Sequence, residues 1–237
     1  MNSASEIIEK VRKEGRVVLT EMESKQLLRS LEIRTTEMKL ATSREEAVVL
    51  SREIGYPCVL KVSSPDISHK SDAGGVKVGL AGEHDVALAY DAVISACREK
   101  FPSATMEGVS VQNMARPGLE VIVGMATDPQ FGPVLMFGLG GVWVEVLKDV
   151  SFRIVPLTRY DARTAIREIR AARLLDGYRG SEPMDTSALE EILLRVSDFV
   201  DRTPSVKEMD LNPIFAYAHG AMAVDARVIL HPVGENR

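Results

Sequence analysis

Residues 56–80 read YPCVLKVSSPDISHKSDAGGVKVGL, and the rest of the chain is best understood from them. Pro57 to Val62 and Gly75 to Leu80 are short apolar runs bounded by turn residues, so two strands are expected, joined by a polar loop over 63–75. Lys61 interrupts the first strand. A charged amine inside an apolar strand is costly unless it meets an anion or reaches solvent. Lys61 therefore reads either as a point charge for a phosphate or as a lysine snorkelling from the strand end. The loop closes on Gly74 and Gly75 just before Val76. Its backbone N–H groups suit a phosphate cradle, although a glycine pair also serves any tight turn. Inside the loop lies His69, one of four histidines. Beside a bound phosphate an imidazole is a nucleophile able to take a phosphoryl group, splitting one transfer into two easier ones. Elsewhere it is an ordinary surface histidine.

A second concentration of chemistry lies near the C-terminus. Glu208 to Tyr217 and Ala221 to Val228 flank His219-Gly220, a hairpin signal. A turn centred there sets Ile214 opposite Asp225. Glu208, Asp210, Asn212 and Asp225 then share one face, while Leu211, Phe215 and Val224 supply the apolar one. Hard oxygen donors gathered on one side of a ribbon suit Mg²⁺ shared with substrate phosphates, or else form a solvated polar face. Pro213 marks the place where a bulge would break this parity.

Between the two lie Glu120 and the glycines at 124, 132, 138, 140 and 141, dense enough to imply close approach of backbone to a ligand or to another strand. Arg153 follows a Lys148-Asp149 turn and is a candidate for phosphate. Gln112 and Glu120 are suited to ribose or adenine hydrogen bonds. Further strands are expected at 120–125, 134–137, 142–147 and 152–155. Capping-box spacing predicts helix starts at Thr20 with Glu23, Ser43 with Glu46 and Ser187 with Glu190. The last is followed by the stripe Leu189, Ile192, Leu193, Val196, Phe199 and Val200. A helix over 83–100 is expected to turn Val86, Leu88, Ala89, Val93 and Ile94 inward. Helices mixed with hairpins predict an α+β fold rather than a regular βαβ array.

The chain has 237 residues, a net charge of −5 and 45% hydrophobic residues, ordinary for a globular protein and adverse to general nucleic-acid binding. Cys58 and Cys97 fall in apolar patterns and read as core residues of a reducing compartment. Without a signal-peptide pattern or an apolar run of about 20 residues, a cytoplasmic protein without membrane spans is expected.

The segments YPCVLKVSSPDISHKSDAGGVKVGL, VQNMARPGLEVIVGMATDPQFGPVLMFGLGG, EMDLNPIF and AVDARV together resemble the ATP-grasp β subunit of ADP-forming acetyl-CoA synthetase. The likeness to the succinyl-CoA synthetase β subunit is more distant. The resemblance covers nearly the whole chain, in order. It implies an ATP-grasp fold, two α+β lobes clamping a nucleotide, drawn as 1–111 with loop 63–75 and 112–237 with the hairpin. It implies the reaction acyl-CoA + ADP + phosphate ⇌ acid + CoA + ATP, with ATP/ADP and Mg²⁺ as ligands. Carried over, Lys61 contacts nucleotide phosphates with Gly74, Gly75 and Val76, His69 becomes the phosphohistidine, and Asp210 orients or stabilises it. Asn212 and Asp225 match the metal ligands, Gln112 and Met114 face adenine with Glu120 just beyond, and Arg153 faces phosphate. The partner implied is a CoA-binding α subunit, since no CoA-binding Rossmann fingerprint is present, and the resemblance implies an assembly of two α and two β chains. A carboxylate–amine ligase and a catalytically silent nucleotide sensor are the alternatives.

Overall fold

The computed structural model describes residues 3–67, 70–141, 148–178 and 180–234. They form two compact units, one of residues 36–116 and one that joins the segment up to residue 35 with that from 117 onward. These units do not coincide with the expected segments 1–111 and 112–237. The reason is burial: Ile7, Ile8, Val11, Leu27 and Leu28 of the first two helices share a core with Leu193, Met209 and Val228. Val18 also bridges to Ile229.

In the unit of residues 36–116, strands β1 (Met38–Ala41), β2 (Cys58–Ser63), β3 (Val76–Leu80) and β4 (Gly108–Asn113) form an antiparallel sheet in the order β1-β4-β2-β3. Helices α3 (Arg44–Ile54) and α4 (Glu83–Lys100) pack on it. Cys58, Leu60, Val62, Val109 and Val111 bury against Ala47, Val86, Ala89, Val93 and Cys97. Alternate side chains of a strand point to one face, so the even positions of β2 make this core. Both cysteines are free and buried, and burial pushes the Cys58 thiol up to about 11. Leu88, expected inward, is 53% exposed, whereas Val86 and Val93 are fully buried. Positions 86, 89 and 93 complete the narrow stripe that faces the sheet, and 88 lies beyond its edge.

The larger unit contains α1 (Ala4–Lys13), α2 (Glu21–Ser30), α5 (Arg159–Glu168) and α6 (Thr186–Arg202). Its sheet is built of β5 (Leu119–Asp128), β6 (Gly132–Leu139), β7 (Val150–Ile154), β8 (Val206–Ala216), β9 (Ala221–Ala223) and β10 (Arg227–Leu230), in the order β10-β8-β5-β6-β7 with β9 also on β8. Val121, Val123, Leu135, Phe137, Met209 and Leu211 line its buried face with the α6 stripe. The opposite face is open, with Phe152 and Ile154 more than half exposed. Among the described residues no helix is long and apolar enough to cross a membrane.

The capping box at Thr20 and Glu23 forms as expected. Ser43 caps α3, but Glu46 turns back to Thr42, accepting from its N–H and its hydroxyl. Ser187 caps nothing. Asp185 takes that place: one carboxylate oxygen accepts from the Ala188 N–H at 3.0 Å and the other from the Gly220 N–H at 2.9 Å, tying the helix start to the hairpin turn. Two boxes went unread, at Ser3 with Glu6 and at Thr158 with Asp161. The expected strand at 142–147 lies outside the described residues.

Candidate functional site

The open sheet face of the larger unit holds a groove of about 720 Å³. Ile122, Gly124 and Ala126 of β5 form its floor, with Met136 and Phe152 on one side and Glu208, Asp210 and Asn212 on the other. The three polar residues alternate along β8 with buried Met209 and Leu211, so the period of two that buries the core also lifts the oxygens into the groove.

The register of the hairpin differs from the expected one by two residues. Ile214 faces Ala223 rather than Asp225, and Arg227 faces Asp210. A shift of two preserves parity, so Glu208, Asp210 and Asn212 keep their common face. The bulge falls where Pro213 marked it: Val121 pairs with Ile214 but Val123 with Leu211, leaving Asn212 and Pro213 opposite one residue. Beyond the bulge the buried side switches, and Ile214 and Ala216 face inward in place of Phe215. Asp225 lies half-buried between β9 and β10. Its carboxylate is near enough to Asp210 to matter electrostatically. Desolvation first, and the charge of Asp225 second, raise the Asp210 carboxyl above its ordinary range, offset in part by Arg227. Asp210 is exposed to the groove, yet the groove walls crowd its carboxyl, which reconciles exposure with desolvation.

Two carboxylates held close beside an amide oxygen are a donor set for a hard cation, and the repulsion between them is what a bound cation relieves. Among the described residues no three of His, Cys, Asp and Glu gather into a metal cluster. Such a small set of protein oxygens suits an ion that completes its coordination with water and phosphate.

The smaller unit carries the other candidates. Lys61 sits on the central strand β2, 8% exposed and directly opposite Ser110 and Val76. Gln112, 2% exposed, lies two residues from Ser110 on the same face and donates to the Ser110 hydroxyl at 3.0 Å. Lys61, Ser110 and Gln112 thus form one polar, buried sheet face, and Ser110 was not singled out from the sequence. Met114, 39% exposed, follows β4. The glycine pair is used differently from expectation. The Gly74 N–H donates to the Ser71 carbonyl and the Gly75 N–H to the Lys70 carbonyl, so the turn itself occupies both amides. A Cβ on Gly75 would lie 2.6 Å from Val62 Cγ1, so close packing against β2 requires this glycine. Ile67 and Ala73 bury in the core, and the Thr105 N–H donates to Asp66, which fixes both flanks of the loop. His69 lies outside the described residues.

Two further candidates lie on the larger unit. The Glu120 carbonyl accepts from the Gly140 N–H at 2.8 Å, and a Cβ on Gly141 would meet the Glu120 carboxylate at 2.8 Å. Gly140 and Gly141 therefore make room for Glu120. Arg153 points away from the groove, toward the helix layer, and donates to Glu168 at 2.5 Å and to Thr164 at 3.3 Å. Its parity on β7 is opposite to that of Phe152, so it does not join Asp210 and Asn212.

Residues 10–230 match the family model of the ATP-grasp domain. The chain is 49% identical over 227 residues to the β subunit of ADP-forming acetate–CoA ligase I of Pyrococcus furiosus, covering 96% of this chain and 97% of that one. This chain belongs to the ATP-grasp β subunits of ADP-forming acetyl-CoA synthetases. Solved structures of acetyl-coenzyme A synthetase 1 of Ca. Korarchaeum cryptofilum agree. With coenzyme A and Ca-AMPCP bound, that protein superposes with a TM-score of 0.94 at 47% identity, covering 96% of this β subunit and 100% of that chain. The same protein has been seen with a phosphorylated phosphohistidine segment in its site I orientation, at a TM-score of 0.88, 45% identity and the same coverage. With Mg-AMPPCP, that segment points towards the nucleotide binding site, at a TM-score of 0.85, 45% identity and the same coverage. The succinate–CoA ligase β subunit of Deinococcus radiodurans is a more distant relative, 25% identical over 214 residues and matched over 88% of this chain and 53% of that one.

Proposed function

We propose that this β subunit binds ADP or ATP with Mg²⁺ and moves a phosphoryl group between His69 and the nucleotide, within acyl-CoA + ADP + phosphate ⇌ acid + CoA + ATP. The observation that carries the reading is the placement of Asp210 and Asn212 at an open groove, with Asp225 near enough to act on the Asp210 carboxyl. Asn212 and Asp225 are the residues that hold the cation, and Asp210 orients the phosphorylated imidazole. Mg²⁺, when bound, neutralises phosphate charge and leaves the protein to supply position. Lys61 adds a fixed positive charge on the nucleotide side. Gln112, Met114 and Glu120 serve the adenine and ribose end, and Val76 takes its place beside Lys61 in the register. Gly74 and Gly75 act by shaping the loop, and Arg153 by securing α5.

In the transfer step a phosphate oxygen of ADP attacks the phosphorus on His69. The N–P bond breaks as the O–P bond forms, and the electron pair returns to the ring nitrogen, so no further reactant is needed. Phosphohistidine segments in the Korarchaeum protein adopt two orientations, which supports loop 63–75 as the carrier here. A CoA-binding α subunit, in an assembly of two α and two β chains in the cytoplasm, supplies the acyl phosphate chemistry.

His69→Ala, reconstituted with the α subunit, is expected to lose acyl-CoA-dependent ATP formation by more than about 10³-fold while retaining ADP binding. Full activity in that mutant would remove His69 from the mechanism.

A further inference from the structure

Arg227 opens β10 as the direct cross-strand partner of Asp210. It is exposed and lines the groove. Among the described residues lining that groove it is the one basic side chain, set against Asp128, Glu208 and Asp210. A polyphosphate entering a groove with three carboxylates meets strong repulsion, and only part of it is relieved by a single divalent cation. A second positive centre is needed on the same face, and Arg227 is placed to be it.

The geometry favours this role over that of a structural ion pair. Arg153, Arg159 and Arg163, on the helix-covered side, each hold a carboxylate within hydrogen-bond distance. Arg227 closes no ion pair within the described residues, although Asp210 lies opposite. Its guanidinium keeps a planar fork of donors for an acceptor from outside, the arrangement that matches phosphate oxygens in bidentate fashion. Opposed residues in an antiparallel ladder lie about 4.5–5.5 Å apart at Cα. Asn212 is a further two residues along β8, about 6.8 Å. Asp225 lies just before β10 and acts on the Asp210 carboxyl, as Arg227 does, so these side chains border one patch.

We propose that Arg227 binds the non-bridging oxygens of the terminal phosphate of the nucleotide, on the side away from the cation held by Asn212 and Asp225. This rests on the groove being the nucleotide site, and the test separates the two claims. The full-length chain and the variants Arg227→Gln, Arg227→Lys and Asp225→Asn are titrated calorimetrically with AMP and with ADP in excess Mg²⁺, and their thermal unfolding is compared. Arg227→Gln is expected to weaken ADP about 10–100-fold, the loss of a charge-assisted pair of hydrogen bonds, and to leave AMP affinity and unfolding temperature unchanged. Arg227→Lys is expected to recover part of the loss. If Arg227→Gln binds ADP like wild type while Asp225→Asn does not, the role of Arg227 is overturned and the groove remains the site. Equal weakening of AMP and ADP by Arg227→Gln also overturns it, because the contact would not be to the terminal phosphate. If wild type binds ADP and neither variant weakens it, or wild type fails to bind, the nucleotide reading of the groove falls, and this proposal with it.

Discussion

Lys61 and Asp210 both occupy strands with neighbours on each side, yet their surroundings differ. On β2, Lys61 is buried on a face that it shares with Ser110 and Gln112, where polar groups hydrogen-bond one another. On β8, Glu208, Asp210 and Asn212 remain exposed, and the apolar requirement is met by Met209 and Leu211 behind them. Strand position alone therefore does not decide what a charged residue costs; the face does. A closed face demands partners before a polar residue is tolerated. An open face leaves carboxylates accessible to a cation, at the cost of crowding and repulsion, as the raised Asp210 carboxyl beside Asp225 illustrates.

The contrast across β8 predicts the largest stability difference. Leu211→Ala, on the buried face, is expected to lower unfolding free energy by about 2–5 kcal/mol. Glu208→Ala, three residues earlier on the open face, should change it by no more than about 0.5 kcal/mol. Urea titrations of the two variants measure this, and equal effects would mean that the groove face is covered in solution. Within the smaller unit, Gly75→Ala forces a Cβ against Val62 and is expected to cost about 1–3 kcal/mol by overpacking. A neutral result there would return Gly75 to the candidate phosphate contacts. The smallest effect concerns a third setting for charge, the start of α2. Burial alone raises the Glu23 carboxyl, but hydrogen bonds from Arg16 and Thr20, with the Arg16 charge, outweigh it and hold it below its ordinary value of 4.5. The stabilisation is fully present above that value and is lost as pH falls through the lower folded one. Glu23→Gln should therefore unfold at lower temperature near neutral pH and lose less stability on acidification below about 4.5. Parallel melting curves across that range would contradict the assignment.

Much of this could be read from local pattern. The limits of α4, the buried stripe of α6 and the polar alternation on β8 follow from periods of 3.6 and two residues, which any segment carries within itself. Other features were not local. Ser187 has the spacing of a cap, but Asp185 also reaches the Gly220 N–H across the fold and wins the position. Arg153 follows a turn, as a phosphate ligand would, but its strand parity sends it toward Glu168.

By itself the sequence determined the ATP-grasp family, the α+β character, the inventory of candidate groups and the oxygen-bearing face of β8. Those depend on residue identity and on short periodicities. Only the tertiary structure decided that the first two helices join the C-terminal part, that the Gly74 and Gly75 amides are occupied by their own turn, and that Arg227 stands opposite Asp210. These are pairings between distant segments, set by which apolar surfaces can be buried together, and no single segment encodes them.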